Sequence, residues 1–354
     1  MSTTAAWRST GHDQELRRTS IGRRALRDDD VAVRIDFCGV CHSDLHAIRG
    51  LTPHLGGDDG GLVPGHELTG VVTAVGPSVT RFAPGDAVAV GTLVDSCGAC
   101  DLCRAGHENY CRVGPVSTYG GRDRVDGSVT QGGYSRDTVV RNRFVHHLPD
   151  GLAPAAAAPL LCAGVTLWET LHAADAGPGK RVAIAGLGGL GHLGVKLAAA
   201  LGAEVTVLSR TAEKADDAVR LGATGLVLTT DAEQLRSATG RFDLIVDTVA
   251  AEHDLSPLLA LLALDGTLSV VGNPLTPAPR ILDLARGRKR LTSAGTGGTR
   301  GTAEMLAFCA GHGITADVEV LPSARVDEAL RRLEQGDVRY RFVLDLSDLD
   351  AAEA

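Results

Sequence analysis

The chain has 354 residues, more than a single hydrophobic core commonly organises, so two domains are expected. Hydrophobic residues make up 44% and charged residues 22%, which excludes a disordered chain, and aromatics at 3% leave few stacking platforms for bases. With 35 basic against 43 acidic residues the net charge is -8, which argues against nucleic acid as a partner and for a small molecule.

Met1 to Arg8 holds no apolar run of signal-peptide length, and Asp13, Glu15, Arg17 and Arg18 follow soon after. From about residue 30 to 147, short β-rich runs (VAVRIDF, GVVTAVG, DAVAV, YSRDTVVRNRFVHHL) separated by glycine and proline predict a strand-and-loop domain. The most apolar stretch, Ala153 to Trp168, contains two prolines and a glycine and falls short of the roughly 20 residues of a membrane span. No membrane segment is therefore expected, and the cysteines are expected in a reducing, cytoplasmic compartment, where metal binding is commoner than disulfides.

Beyond Leu152 the strand runs RVAIAG, EVTVLS, GLVLT, FDLIVDTV and GTLSVVGN alternate with helical runs: LGHLGVKLAAALG, EKADDAVRLG and a Leu-rich helix from Leu255 to Leu264. This alternation predicts an α/β, doubly wound parallel sheet. The tail returns to helix in AEMLAFCAGHG, and VDEALRRLEQGDVRYRFVLDL predicts a helix and a strand that closes the first domain. The expected domains are 1–150 with 298–354 for the β-rich part carrying both metal sites, and 151–297 for the dinucleotide-binding part.

Gly186, Gly188 and Gly191 form G-x-G-x-x-G between the strand RVAIA and the helix that follows, so the turn from Gly186 through Gly189 and Leu190 to Gly191 is a candidate pyrophosphate cradle. Where NAD-binding proteins carry a carboxylate at the end of the next strand, this chain has Ser209, followed by Arg210 and Lys214. A hydroxyl and two cations suit a 2′-phosphate, so NADP(H) is the expected cofactor.

Cys97, Cys100, Cys103 and Cys111 fall in one short polar loop, close enough to wrap a tetrahedral Zn²⁺ with no open position, which is a structural role. Cys41, His66 and Cys162 lie far apart in sequence, in GVCHSDLH, VPGHELTG and APLLCAGVT. Two thiolates and an imidazole leave a fourth position open, the ligand set of a catalytic zinc. Cys38 and Cys309 fit no ligand set and read as buried thiols.

These motifs, together with QGGYS, GLGGLGHLGVKLA and GDVRYRFVLDL, resemble the zinc-containing medium-chain dehydrogenases. The resemblance is greatest to the cinnamyl alcohol dehydrogenase branch with its bacterial aldehyde reductases. It implies a GroES-like catalytic domain beside a Rossmann domain, a catalytic site in the cleft between them, two zincs per chain and a homodimer. By the same resemblance Cys41, His66 and Cys162 are the catalytic zinc ligands, and Glu67 and Asp44 tune the metal and orient His66. Ser43 and His46 form a proton relay, Thr166 backs the nicotinamide, His42 approaches the pyrophosphate and Ser209 meets the 2′-phosphate. The implied reaction is hydride exchange between NADP(H) and an alcohol or aldehyde. A polyol dehydrogenase would carry an acidic metal ligand and use NAD. A non-catalytic NADPH-binding protein would tolerate loss of ligands and relay residues, all of which are present.

Overall fold

The ten-residue strand Asp30–Gly39 buries Val31, Val33 and Ile35 on one face, and the rest of the first unit is built onto it. It lies in a computed structural model that describes residues 2–11, 15–51, 61–272 and 276–350. Asn273, the last residue of the run GTLSVVGN, lies outside them. The chain divides into two compact units, Met1–Cys162 with Gly298–Ala354, and Ala163–Gly297.

In the first unit a seven-stranded sheet has the order Val318–Pro322, Arg341–Asp345, Asp30–Gly39, Leu68–Val75, Ala87–Val90, Val145–His147, with Asp137–Arg141 paired to Asp30–Gly39 off this path. Two of these strands come from the tail, so the last residues of the chain complete a sheet begun near its start. Leu68, Val72, Val88, Phe342 and Leu344 share a core with Leu330 and Leu333 of the helix Val326–Glu334. Three features depart from expectation. Ser2–Ser9 and Leu16–Arg23 form an antiparallel pair that the sequence did not suggest, because its polar residues hide the alternation. The strand Val318–Pro322 was likewise not foreseen. The run YSRDTVVRNRFVHHL breaks into two strands around the turn Asn142–Phe144, where the Asn142 side chain donates to the Asp29 carbonyl at 2.8 Å and competes with a continuous ladder.

The second unit holds six parallel strands in the order Gly225–Leu228, Glu204–Ser209, Arg181–Ala185, Phe242–Asp247, Leu262–Val270, Arg290–Thr292. The winding reverses between Arg181–Ala185 and Phe242–Asp247, the place where such sheets take ligands at the carboxyl ends of their strands. The expected helix from Leu255 to Leu264 is shorter, Ser256–Leu261, because Leu262 turns extended and pairs with Phe242. An unbroken apolar run fits a buried strand as well as a helix, so it could not mark that change. No helix among the described residues is long and apolar enough to cross a membrane.

The loop around Asp123 is tied to the first unit's sheet by Arg27, whose two terminal nitrogens donate to the carboxylate at 2.8 and 3.0 Å. Burial pushes Asp123 up, but Arg27 and the N–H groups of Val125 and Asp126 outweigh it and bring the carboxyl down to about 2. A carboxyl held below its unfolded value stabilises the fold above that value, and the contribution disappears as pH falls toward about 2. Asp123→Asn is therefore expected to lower the melting temperature by a few degrees at pH ~7, roughly 1 kcal/mol for a partly solvated pair. That gap should close on acidification; calorimetry showing the same gap at every pH would refute it.

Candidate active site

Cys41 lies two residues beyond the strand Asp30–Gly39 as the N-cap of the helix His42–Ile48, and Asp44 at the third helical position accepts the Cys41 N–H at 2.9 Å. His66 and Glu67 lie at the start of Leu68–Val75, and Cys162 closes the turn Ala158–Leu161. The fold brings these distant positions together: one donor atom each from Cys41, His66, Glu67 and Cys162 lie within 4.8 Å of one another.

The charges at this cluster point to a cation. Hydrogen bonding from Cys162, chiefly, holds the Cys41 thiol well below its ordinary value against the effect of burial, while the hydrogen bond with Cys41, chiefly, and burial hold Cys162 well above. Burial disfavours a charged His66, yet Asp44 and Cys41 outweigh it and raise the imidazole well above its ordinary value. A divalent ion replaces such protons, and sulfur with imidazole nitrogen is the donor chemistry zinc prefers. Glu67 adds an oxygen that has no hydrogen-bond partner among the described residues.

Asp44 is fully buried and, among the described residues, accepts from Gly65 N–H and His66 Nδ1–H on Oδ1 at 3.0 Å each and from Cys41 N–H at 2.9 Å and the Tyr134 hydroxyl at 3.1 Å on Oδ2, with the Tyr119 hydroxyl as a further hydrogen-bonding neighbour. Holding Nδ1–H on a carboxylate leaves Nε2 of His66 as the nitrogen that could meet a cation. The Tyr119 ring lies against His66 with centroids 5.6 Å apart. Glu67 forms a buried ion pair with Arg341; burial pushes its carboxyl up to about 7 against the pull of that guanidinium. The sequence reading found Asp44 and Glu67 but missed Arg341, Tyr134 and Tyr119. An arginine inside the apolar run RFVLD was the available signal, since a strand facing a core needs a partner for such a charge.

Ser43 is exposed, its hydroxyl 3.8 Å from the Cys41 sulfur. His42 and His46 lie one turn apart on the same helix with ring centroids at 6.4 Å, and burial lowers the His42 imidazole. Thr166 is buried in the second unit and donates its hydroxyl to the Gly295 carbonyl at 3.0 Å.

The second cluster is Cys97, Cys100, Cys103 and Cys111, whose sulfurs also lie within 4.8 Å of one another. Backbone N–H groups aim at them: Cys100 N on Cys97 Sγ and Cys103 N on Cys100 Sγ at 3.4 Å, and Cys97 N on Cys111 Sγ at 3.5 Å. The N–H groups of Arg112 and Cys103 bring Cys100 down to about 6. Four convergent sulfurs supplied with N–H donors are the donor chemistry that a closed, structural zinc site would need.

In the second unit Gly186 takes φ +89°, and a side chain at Gly191 would meet the Gly186 carbonyl oxygen at 2.0 Å, so both positions require glycine. A Cβ at Gly188 would meet nothing within 4 Å, which leaves the turn open for a phosphate to approach backbone. Gly189 and Leu190 complete the turn before the helix Gly191–Ala200. Ser209 ends the next strand and donates to the Thr211 carbonyl at 2.8 Å, Arg210 is exposed, and Lys214 reaches back to the Leu187 carbonyl at 2.9 Å. No carboxylate occupies the strand end, so the residues present fit a phosphorylated ribose.

A doubly wound sheet with this turn, in a chain that also carries two sulfur-based donor sets, defines a metal- and dinucleotide-dependent dehydrogenase. The chain belongs to the zinc-binding alcohol dehydrogenase family: residues 27–150 match the alcohol dehydrogenase GroES-like domain and residues 189–336 the zinc-binding dehydrogenase domain. It is 47% identical over 352 residues to NADP-dependent alcohol dehydrogenase C 1 of Mycolicibacterium smegmatis, covering 99% of each chain. A cinnamyl alcohol dehydrogenase from Sorghum bicolor superposes with a TM-score of 0.93 at 43% identity over 99% of both chains. A Helicobacter pylori cinnamyl alcohol dehydrogenase solved with NADP(H) gives 0.89 at 32% identity, covering 97% of this chain and 98% of its own.

Arg341→Met is expected to destabilise the protein by about 3–5 kcal/mol, because it strands a buried carboxylate. Adding Glu67→Gln should recover most of that loss in thermal unfolding; a double variant as unstable as the single one would show that the pair is not the source.

Proposed function

We propose that the chain exchanges hydride between NADP(H) and a primary alcohol or its aldehyde, aromatic or medium-chain aliphatic. In this reading Cys41, His66 and Cys162 hold a catalytic zinc and Cys97, Cys100, Cys103 and Cys111 a structural one. The observation that carries it is the convergence of Cys41, His66 and Cys162 from three distant segments into one buried donor set. When bound, the zinc supplies a Lewis acid for the carbonyl oxygen and the nicotinamide supplies the hydride. Asp44 orients His66, and Glu67 with Arg341 places a further carboxylate beside the sulfurs. Ser43 passes a proton to the substrate oxygen, and His46 restores it from solvent. Gly186, Gly188, Gly189, Leu190 and Gly191 cradle the pyrophosphate with His42 as a further contact, Ser209, Arg210 and Lys214 take the 2′-phosphate, and Thr166 backs the nicotinamide. The unit Met1–Cys162 with Gly298–Ala354 serves as the catalytic domain and Ala163–Gly297 as the cofactor domain.

We further propose a cytoplasmic homodimer. The strand Arg290–Thr292 is an open sheet edge with every residue exposed, and Leu264, Ile281 and Leu282 are also exposed in the same unit, a combination that invites pairing with a second copy.

Cys41→Ser, with the structural cysteines intact, should lose more than about 100-fold of benzaldehyde-dependent NADPH oxidation while the protein stays folded. Metal content should fall from about two zincs per chain to about one. Retained turnover would refute the ligand assignment. Ser209→Asp should weaken NADPH relative to NADH by tenfold or more, about the 1.5–3 kcal/mol of a charge-assisted hydrogen bond. An unchanged ratio of kcat/KM for the two cofactors would remove Ser209 from the phosphate site.

A further inference from the structure

Among the described residues four donors lie within 3.1 Å of Asp44, and three of them are fixed by what they belong to: two are backbone N–H groups, and the third is the ring of His66 itself. The fourth, the Tyr134 hydroxyl, is a side-chain choice, since phenylalanine would fill the same space without it. Tyr134 is fully buried, and much of its neighbourhood is devoted to placing it. Its N–H donates to the Pro64 carbonyl at 2.9 Å, its carbonyl accepts from Trp7 N–H at 2.8 Å, and the adjoining Gly133 N–H donates to Gly65 at 2.9 Å. The buried guanidinium of Arg23 holds the rest of this loop, donating to the Gln131 carbonyl at 2.6 Å, the Gly132 carbonyl at 2.9 Å and the Ser135 hydroxyl at 2.5 Å. A cation taken out of water to bind loop carbonyls is an expensive way to position a ring, unless the ring's hydroxyl matters.

We propose that Tyr134 is a positioning residue for the catalytic zinc, its hydroxyl drawing charge from Asp44 and so limiting how strongly Asp44 pulls on the Nδ1–H of His66. The inference rests on the assignment of His66 as a metal ligand. Hydrogen bonds in a buried chain polarise one another, so a donor on Oδ2 weakens what Oδ1 offers to the imidazole. Less pull on Nδ1–H means less electron density at Nε2, and a metal held there stays a stronger Lewis acid.

The test uses full-length enzyme with cobalt(II) in place of the catalytic zinc, and the variants Tyr134→Phe and Tyr134→Leu. The parent must first show thiolate-to-cobalt charge transfer and tetrahedral d–d bands; without them the ligand assignment itself fails, whatever Tyr134 does. Given those bands, Tyr134→Phe should move the d–d envelope to higher energy and slow cobalt loss to a chelator several-fold. It should also lower zinc-enzyme kcat by about tenfold, with the KM for NADPH unchanged. Tyr134→Leu should show the same spectral shift with added thermal instability from the cavity. An unmoved spectrum in Tyr134→Phe, faster cobalt loss, or a shift confined to Tyr134→Leu would overturn the proposal, the last by tracing the effect to ring packing.

Discussion

A buried carboxylate without enough donors costs several kcal/mol, and that constraint organises the catalytic half of this molecule around Asp44. The donors within 3.1 Å come from residues 41, 65, 66 and 134, so the helix start, the segment that carries His66 into the strand Leu68–Val75 and the QGGYS loop must meet at one point. The geometry of the donor cluster follows from that meeting: the helix cap sets Cys41, and the same carboxylate fixes which ring nitrogen of His66 faces the sulfurs. A second buried charge pair, Glu67 with Arg341, extends the rule to the C-terminal strand. Polar satisfaction, more than apolar packing, specifies how these segments converge.

The same logic holds at the four-cysteine lobe, which has little apolar surface of its own. Glu108 within it is fully buried and accepts from both Arg143 and the N–H and hydroxyl of Thr299. Thr299 opens the helix Thr299–His312, whose N-cap is Gly298 and supplies no side-chain cap. A carboxylate from the lobe therefore does that work and complements the positive end of the helix dipole. The fold of the lobe and the first turn of this helix are thereby joined.

Much of this was legible in the sequence because the signals are local. The four cysteines lie within one loop, and the glycines of the cradle sit between a strand and a helix whose patterns are unmistakable. Cys41, His66 and Cys162 became legible only through the motifs around them, since nothing in their spacing requires proximity. Tyr134 and Arg341 stayed hidden for a different reason: each acts on a neighbour distant in sequence, and while the charge of Arg341 in an apolar strand demands a partner, nothing local says which one. The hairpin Ser2–Ser9 with Leu16–Arg23 was missed because only part of it faces the core, and Leu262 because an apolar run has no period. Periodicity reports which side chains are buried, while the reach of a polar side chain is a property of the folded arrangement.

That the sheet of the first unit is finished by Val318–Pro322 and Arg341–Asp345 has a bearing on biosynthesis. The second unit is one continuous span, so it can fold while the ribosome is still adding the tail. The first unit cannot: until residue 341 emerges, Glu67 waits without its guanidinium beside sulfurs already translated. The buried charge pair beside that centre is thus among the last contacts a nascent chain can make, and a chain stalled short of residue 341 would carry one completed unit and one unfinished unit.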